Sequence, residues 1–136
     1  FALSVTAGRM SGAPHAFEAF SIGGAISPVT DSSVMRQRHT MPMLPTGVAV
    51  GRSLFAWRVA IPSAQWTLFY ESAAVAPTLS ALTNWQRVAG IETRYNFGPV
   101  PVAFSPRLQG RGGVGYSFSE PFRKRARAYL EMRIEP

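Results

Sequence analysis

From Lys124 to Glu135 the chain alternates: Lys124, Ala126, Ala128, Leu130, Met132 and Ile134 fall on one parity, and Arg125, Arg127, Tyr129, Glu131, Arg133 and Glu135 on the other. A period of two sends successive side chains to opposite faces, so this segment predicts a strand with one greasy and one charged face. The same pattern runs from Trp85 to Phe97, where Trp85, Ala89, Ile91, Tyr95 and Phe97 oppose Gln86, Glu92, Arg94 and Asn96. Arg87 and Val88 break it, each on the other's face. Between Val48 and Ile61, Phe55, Trp57, Val59 and Ile61 share a parity opposite Arg52 and Arg58, and in 65–75 Trp66, Leu68 and Tyr70 oppose Gln65, Thr67 and Glu71.

Phe1 to Arg9 alternates as well, and Val100 to Phe104 and Val114 to Phe118 form two short runs of bulky and small residues. Ala16 to Ile22 is strand-like in composition with poor parity, and no segment has a convincing helical period. Turn residues separate the runs at Ser11 to Pro14, at Gly98-Pro99, from Pro106 to Gly112 and at Glu120-Pro121. The longest irregular stretch, 24–47, holds Pro28, Asp31, Arg36, Arg38, His39, Pro42 and Pro45. A loop of that length in a compact domain is generally functional or disordered.

Seven or eight amphipathic strands with polar turns predict an all-β, antiparallel up-and-down barrel in a single domain, 1–136, standing alone or forming the C-terminal part of a larger transmembrane barrel. Two environments fit. In a soluble barrel or sandwich the apolar face points inward; in an outer-membrane barrel it faces lipid around a polar lumen. Composition favours the second. Trp57, Trp66, Trp85, Tyr70, Tyr95 and Phe97 sit near strand ends on the apolar parity, as interfacial girdles do, while the other parity mixes Arg with Glu. The chain has one lysine and one aspartate, the residues a soluble surface usually carries.

The absence of cysteine excludes disulfides, thiolate metal sites and a cysteine nucleophile. A formal charge of +7 suggests nucleic acid or an anionic surface as partner. The basic residues are spread singly, however, apart from Arg123, Lys124, Arg125 and Arg127, and no recognition helix accompanies them, so no nucleic acid is expected. That cluster either grips phosphate, as guanidinium groups do, or combines a loop with arginines paired to Glu92, Glu131 and Glu135. Arg125 and Arg127 share a strand face with Glu131, which favours pairing. The run Gly110 to Gly115 matches G-x-G-x-x-G, but the residues after it read as strand and not as helix, so the run predicts a turn without a nucleotide. His15 and His39 are the only histidines and no acidic cluster accompanies them; neither metal, cofactor nor catalysis is expected.

The order of several motifs resembles the C-terminal barrel of the BamA/TamA-type outer-membrane assembly and translocation superfamily, the bacterial surface antigen family. Phe20-Ser21-Ile22-Gly23-Gly24 is similar to the aromatic-x-x-Gly-Gly that precedes a loop folding back into the lumen. Gly47 to Pro62 resembles the next strand, and Phe69-Tyr70-Glu71 stands where that family has Phe-x-Asp. Arg87 to Ile91 with Gly98-Pro99 resembles the penultimate hairpin, and Tyr116 to Phe122 the approach to the last strand. The chain departs in having Val34-Met35-Arg36-Gln37-Arg38 in place of Val-Arg-Gly-aromatic, Ala73 in place of a glycine, and no terminal aromatic.

The resemblance implies a non-enzymatic outer-membrane pore segment. Its lumen would be lined by Arg52, Arg58, Glu71, Glu92, Arg94 and Arg127, plugged by the 24–47 loop through Arg36 or Arg38, with a seam strand from Arg125 to Glu135. The implied partners are membrane lipid or lipopolysaccharide and other outer-membrane or periplasmic proteins. The barrels of this family need about twice the roughly eight strands that a chain of this length supplies at about 9–11 residues each. A fragment, an autonomous small barrel serving as a structural or ligand-binding subunit, and a chain that completes a barrel with others are therefore all open.

Overall fold

The computed structural model describes residues 1–11, 19–24, 38–45, 48–99, 107–120 and 125–135. Among them, six strands build one antiparallel sheet: β1 (Ala2–Arg9), β5 (Ser53–Pro62), β6 (Thr67–Ala76), β7 (Gln86–Pro99), β8 (Arg107–Ser117) and β9 (Arg125–Glu135), hydrogen-bonded in that order. From β5 onward each strand pairs with the next in sequence, the up-and-down arrangement the alternating runs predict. Three short strands, β2 (Phe20–Ile22), β3 (Arg38–His39) and β4 (Ala49–Gly51), form a second sheet in the order β3-β2-β4. The only helical element among the described residues is a 3-10 turn at Leu79–Ala81. The described residues are thus nearly all β, and the main sheet is antiparallel and up-and-down. Among the described residues the main sheet holds six strands, and its outer strands β1 and β9 do not pair with each other, so no barrel closure is seen there.

Register turns the sequence parities into two continuous faces. Val5, Trp57 and Ser72 align across β1, β5 and β6; Leu3, Val59, Tyr70, Ala89, Tyr116 and Ala126 align across all six strands; Ile61, Leu68, Ile91, Val114 and Ala128 form the next row. Among the described side chains, Arg9 and Arg87 are the only charges at positions of this apolar face within the sheet. Leu3, Ile61, Leu68, Tyr95, Phe97, Val114 and Leu130 are each at least 45% exposed on it. The largest apolar patch on a soluble monomer is generally about 300–600 Å², which about four or five such side chains fill.

The opposite face carries Arg58, Glu71, Glu92, Arg94, Arg111 and Tyr129, and the second sheet lies on it. Ile22, Met41, Met43 and Leu44 are buried there against Leu54, Ala56, Phe69, Ala73, Val75 and Val88. This explains one break in the sequence pattern: Val88 is apolar on the charged face because it is covered by that core. The other, Arg87, belongs to the apolar face and is exposed at its end.

The glycine-rich run in β8 is strand and not a turn, and the predicted turn from Pro106 to Gly112 yields to strand from Arg107 onward. Its glycines leave room for larger neighbours. A Cβ on Gly110 would lie 2.7 Å from the Phe97 ring, one on Gly113 2.9 Å from the Tyr129 ring, and one on Gly115 2.8 Å from Met43. The expected strand from Val100 to Phe104 lies outside the described residues, as do His15, Arg36, Arg123 and Lys124.

Candidate functional site

The site grows from the second sheet. Gly23 and Gly24 have positive φ values of 104° and 75°, and a side chain on Gly23 would run into the carbonyl of Pro45. This turn lets the Gly23 N–H donate to His39 O at 3.1 Å and the Gly24 N–H to Leu44 O at 2.9 Å, while the Val48 N–H donates to Ile22 O at 3.0 Å. The ladder also pairs Ile22 with His39 in parallel. Residues far apart in sequence are thereby clamped, and the His39 ring is set over the main sheet.

There His39 Nε2 meets Glu71 Oε1 at 2.8 Å. Glu71 Oε2 accepts from Arg58 Nη1 at 3.5 Å. The other arm of the same guanidinium, Nη2, stands 2.8 Å from Glu92 Oε1, a charge contact off the hydrogen-bonding angle. Arg94 Nη2 adds a 3.4 Å contact to that oxygen. Glu92 Oε2 accepts from Arg111 Nε at 2.9 Å and Nη2 at 2.6 Å, and from the Tyr129 hydroxyl at 2.8 Å. The Arg58 guanidinium also stacks over Phe69, 4.2 Å from the ring centre, and Arg111 lies 5.6 Å from that of Tyr129.

Glu71 and Glu92 are 3% and 2% exposed, so this is a buried ionic chain running from β3 through β5, β6, β7 and β8 to β9. Two carboxylates among three guanidiniums satisfy one another where water cannot, and charge-assisted hydrogen bonds of this kind are the stronger class. Beside the chain, a cavity of about 380 Å³ is bounded by Ser4, His39, Arg58, Glu71, Arg94 and Arg111. No group of three or more His, Cys, Asp or Glu side chains among the described residues could hold a metal ion. The contacts of His39 and the turn at Gly23-Gly24 support docking of one segment on another.

Of the residues expected to line a lumen, Arg58, Glu71, Glu92 and Arg94 come together. Arg127 shares their face on β9, opposite Gly115. Arg52 is exposed at the strand end, in the break between β4 and β5. Arg38 enters through the backbone of β3, paired with Ser21. His39, Arg111 and Tyr129 are the members that sequence reasoning misses. Arg111 sits in the glycine run that reads as a turn, although Gln109 and Arg111 alternating with Leu108, Gly110 and Gly112 is itself a strand signal. His39 presents itself in the sequence only as a metal ligand or base, and its role is to dock one segment on another. No protein-family model matches the chain, and no curated protein or solved structure matches it either.

Proposed function

We propose that this chain is part of the wall of an outer-membrane β-barrel, non-enzymatic, and similar in organisation to the pore segment of a protein-assembly or translocation barrel. The observation that carries the reading is the sorting of charge between the two faces of one sheet. Apolar and aromatic side chains stand exposed on one face, while the other holds the ion-paired charges beside an apolar core that the chain's own second sheet covers. A soluble sheet protein places these the other way round.

Dimensions agree. From Arg87 to Phe97, β7 rises about 33 Å along its axis at about 3.3 Å per residue. A tilt of 35–45° reduces that to about 25 Å, the height of a barrel's apolar band. Tyr95 and Phe97, 6.3 Å apart, stand toward one end of this band, and Trp57, Tyr70, Tyr116 and Phe118 toward the other. Among the described residues β1 and β9 are the edges of the wall, so a pore forms only with further strands beside them. The segment docked through His39 occupies the lumen side of the wall, and the ionic chain ties it to β9.

The test is refolding of the full chain in plain buffer, in detergent micelles and in lipid vesicles, with circular dichroism and protease protection as readouts. Folding only with micelles or vesicles, with the strands protected, is expected. A monomer that folds in plain buffer would overturn the reading and favour a soluble module, for which the 380 Å³ cavity is the candidate ligand site.

A further inference from the structure

The charged residues that do reach the apolar side of the molecule are not spread over it. Arg9 closes β1 and Arg87 opens β7, and both lie at the same end of the sheet, where β5 begins and β8 finishes. Arg125, paired in register with Ser117, and Arg52, before β5, stand at the same end but at positions of the opposite, charged face. All four are exposed. The single acidic side chain described alongside them is Glu120. Below this row, the apolar face carries no charge among the described side chains down to Phe97.

Arg87 is the best positioned of them. Its N–H donates to Ser119 Oγ at 2.9 Å, its carbonyl accepts from the Phe118 N–H at 2.9 Å, and Ser119 Oγ donates to Trp85 O at 2.8 Å. One segment, Phe118-Ser119, therefore holds its backbone at both the N–H and the carbonyl. Level with it and one row further in stand aromatic rings, Trp57 to Tyr70 at 5.2 Å, Tyr70 to Phe118 at 6.4 Å and Phe118 to Tyr116 at 5.2 Å. With strands about 4.8 Å apart, Arg9 on β1 and Arg87 on β7 are separated by roughly 14 Å across the strands, so the two arginines border the half of the sheet from β1 to β7.

We propose that this arginine border binds the phosphates of anionic membrane lipids, and so sets which end of the wall lies in the more anionic headgroup layer. The inference rests on the membrane reading above and adds to it a ligand, its residues and an orientation. The chemistry is specific to phosphate at an interface: guanidinium groups grip phosphate oxygens through paired N–H donors, and the aromatic rings level with them and one row further in occupy the depth where amphipathic rings meet headgroups.

The test uses the full chain and vesicles of phosphatidylcholine alone or mixed with phosphatidylglycerol. A basic residue near an anionic surface contributes about fivefold in binding, so Arg9 and Arg87 together correspond to a preference of roughly 25-fold for the mixed vesicles. The double variant R9Q/R87Q is expected to insert into pure phosphatidylcholine as the unaltered chain does, and to lose most of the preference. If that variant fails to fold, the unaltered chain decides the matter, its preference collapsing at about 1 M salt, where the screening length is about 3 Å. Equal insertion of the unaltered chain into both vesicles overturns the arginine border and leaves the membrane reading standing. Insertion into neither, with a folded monomer in plain buffer, overturns both.

Discussion

The two faces of the six-stranded sheet are made by neighbouring residues of the same strands, yet they satisfy opposite demands. On β7, Ile91 is 36% exposed among other apolar side chains, and Glu92, the next residue, is 2% exposed beneath three arginines and a tyrosine hydroxyl. A carboxylate is more buried than the isoleucine beside it. In water this inversion is unfavourable twice over, once for the unshielded apolar face and once for the desolvated charge. It becomes favourable when the medium outside is apolar and the charges find partners inside. The comparison therefore bears on the solvent as much as on the fold.

Breaking the charged face has the largest expected effect. Glu92→Ala leaves Arg58 and Arg111 facing each other without a shared carboxylate, and removal of one partner from a buried ionic cluster costs about 3–5 kcal/mol. The unfolding midpoint in urea, measured on protein reconstituted in vesicles, should fall accordingly; Glu92→Gln, which keeps an acceptor and loses the charge, should fall between the two. A shift below about 1 kcal/mol would mean that the chain of ion pairs does not hold the wall together.

The apolar face is tested by a pair of arginines. Ile91→Arg places a charge midway along the band, where the lipid-facing cost is about 2–4 kcal/mol, whereas Asn96→Arg, on the opposite face, is expected to change little. Insertion efficiency of the two variants into phosphatidylcholine vesicles compares them directly. Equal insertion would remove the distinction between lipid and lumen.

The smallest expected effect sharpens the link between the faces and the docked segment. Gly23→Ala forces a side chain into the positive-φ turn against Pro45, at a cost of about 1–3 kcal/mol. Because that turn holds His39 over Glu71, the variant should expose the segments 19–24 and 38–45 to limited proteolysis before the strands of the main sheet become susceptible. Simultaneous cleavage of both would show that the segment and the wall unfold as one unit.

Much of this is legible in residue order. The parities of 85–97, 65–75 and 124–135 assign nearly every side chain of β6, β7 and β9 to its observed face, since a strand's period of two is local. The Phe20 to Gly24 signal marks the turn that the positive φ angles require. The glycines of β8 mislead because glycine signals a turn when read alone; here their missing side chains accommodate Phe97, Tyr129 and Met43, neighbours that no local pattern can name. Val88 misleads for the same reason, its cover coming from residues more than forty positions away.

What the sequence determined alone was therefore the all-β class, the alternation that gives each strand two unlike faces, and the set of charges sharing one of them. Only the tertiary structure decided which carboxylate meets which guanidinium, that His39, Arg111 and Tyr129 complete the chain of contacts, and that the second sheet lies on the charged side. Alternation is a property of consecutive residues, imposed by backbone geometry. Partnership across strands depends on register, which is set by loops and distant packing, and a shift by one residue exchanges the two faces.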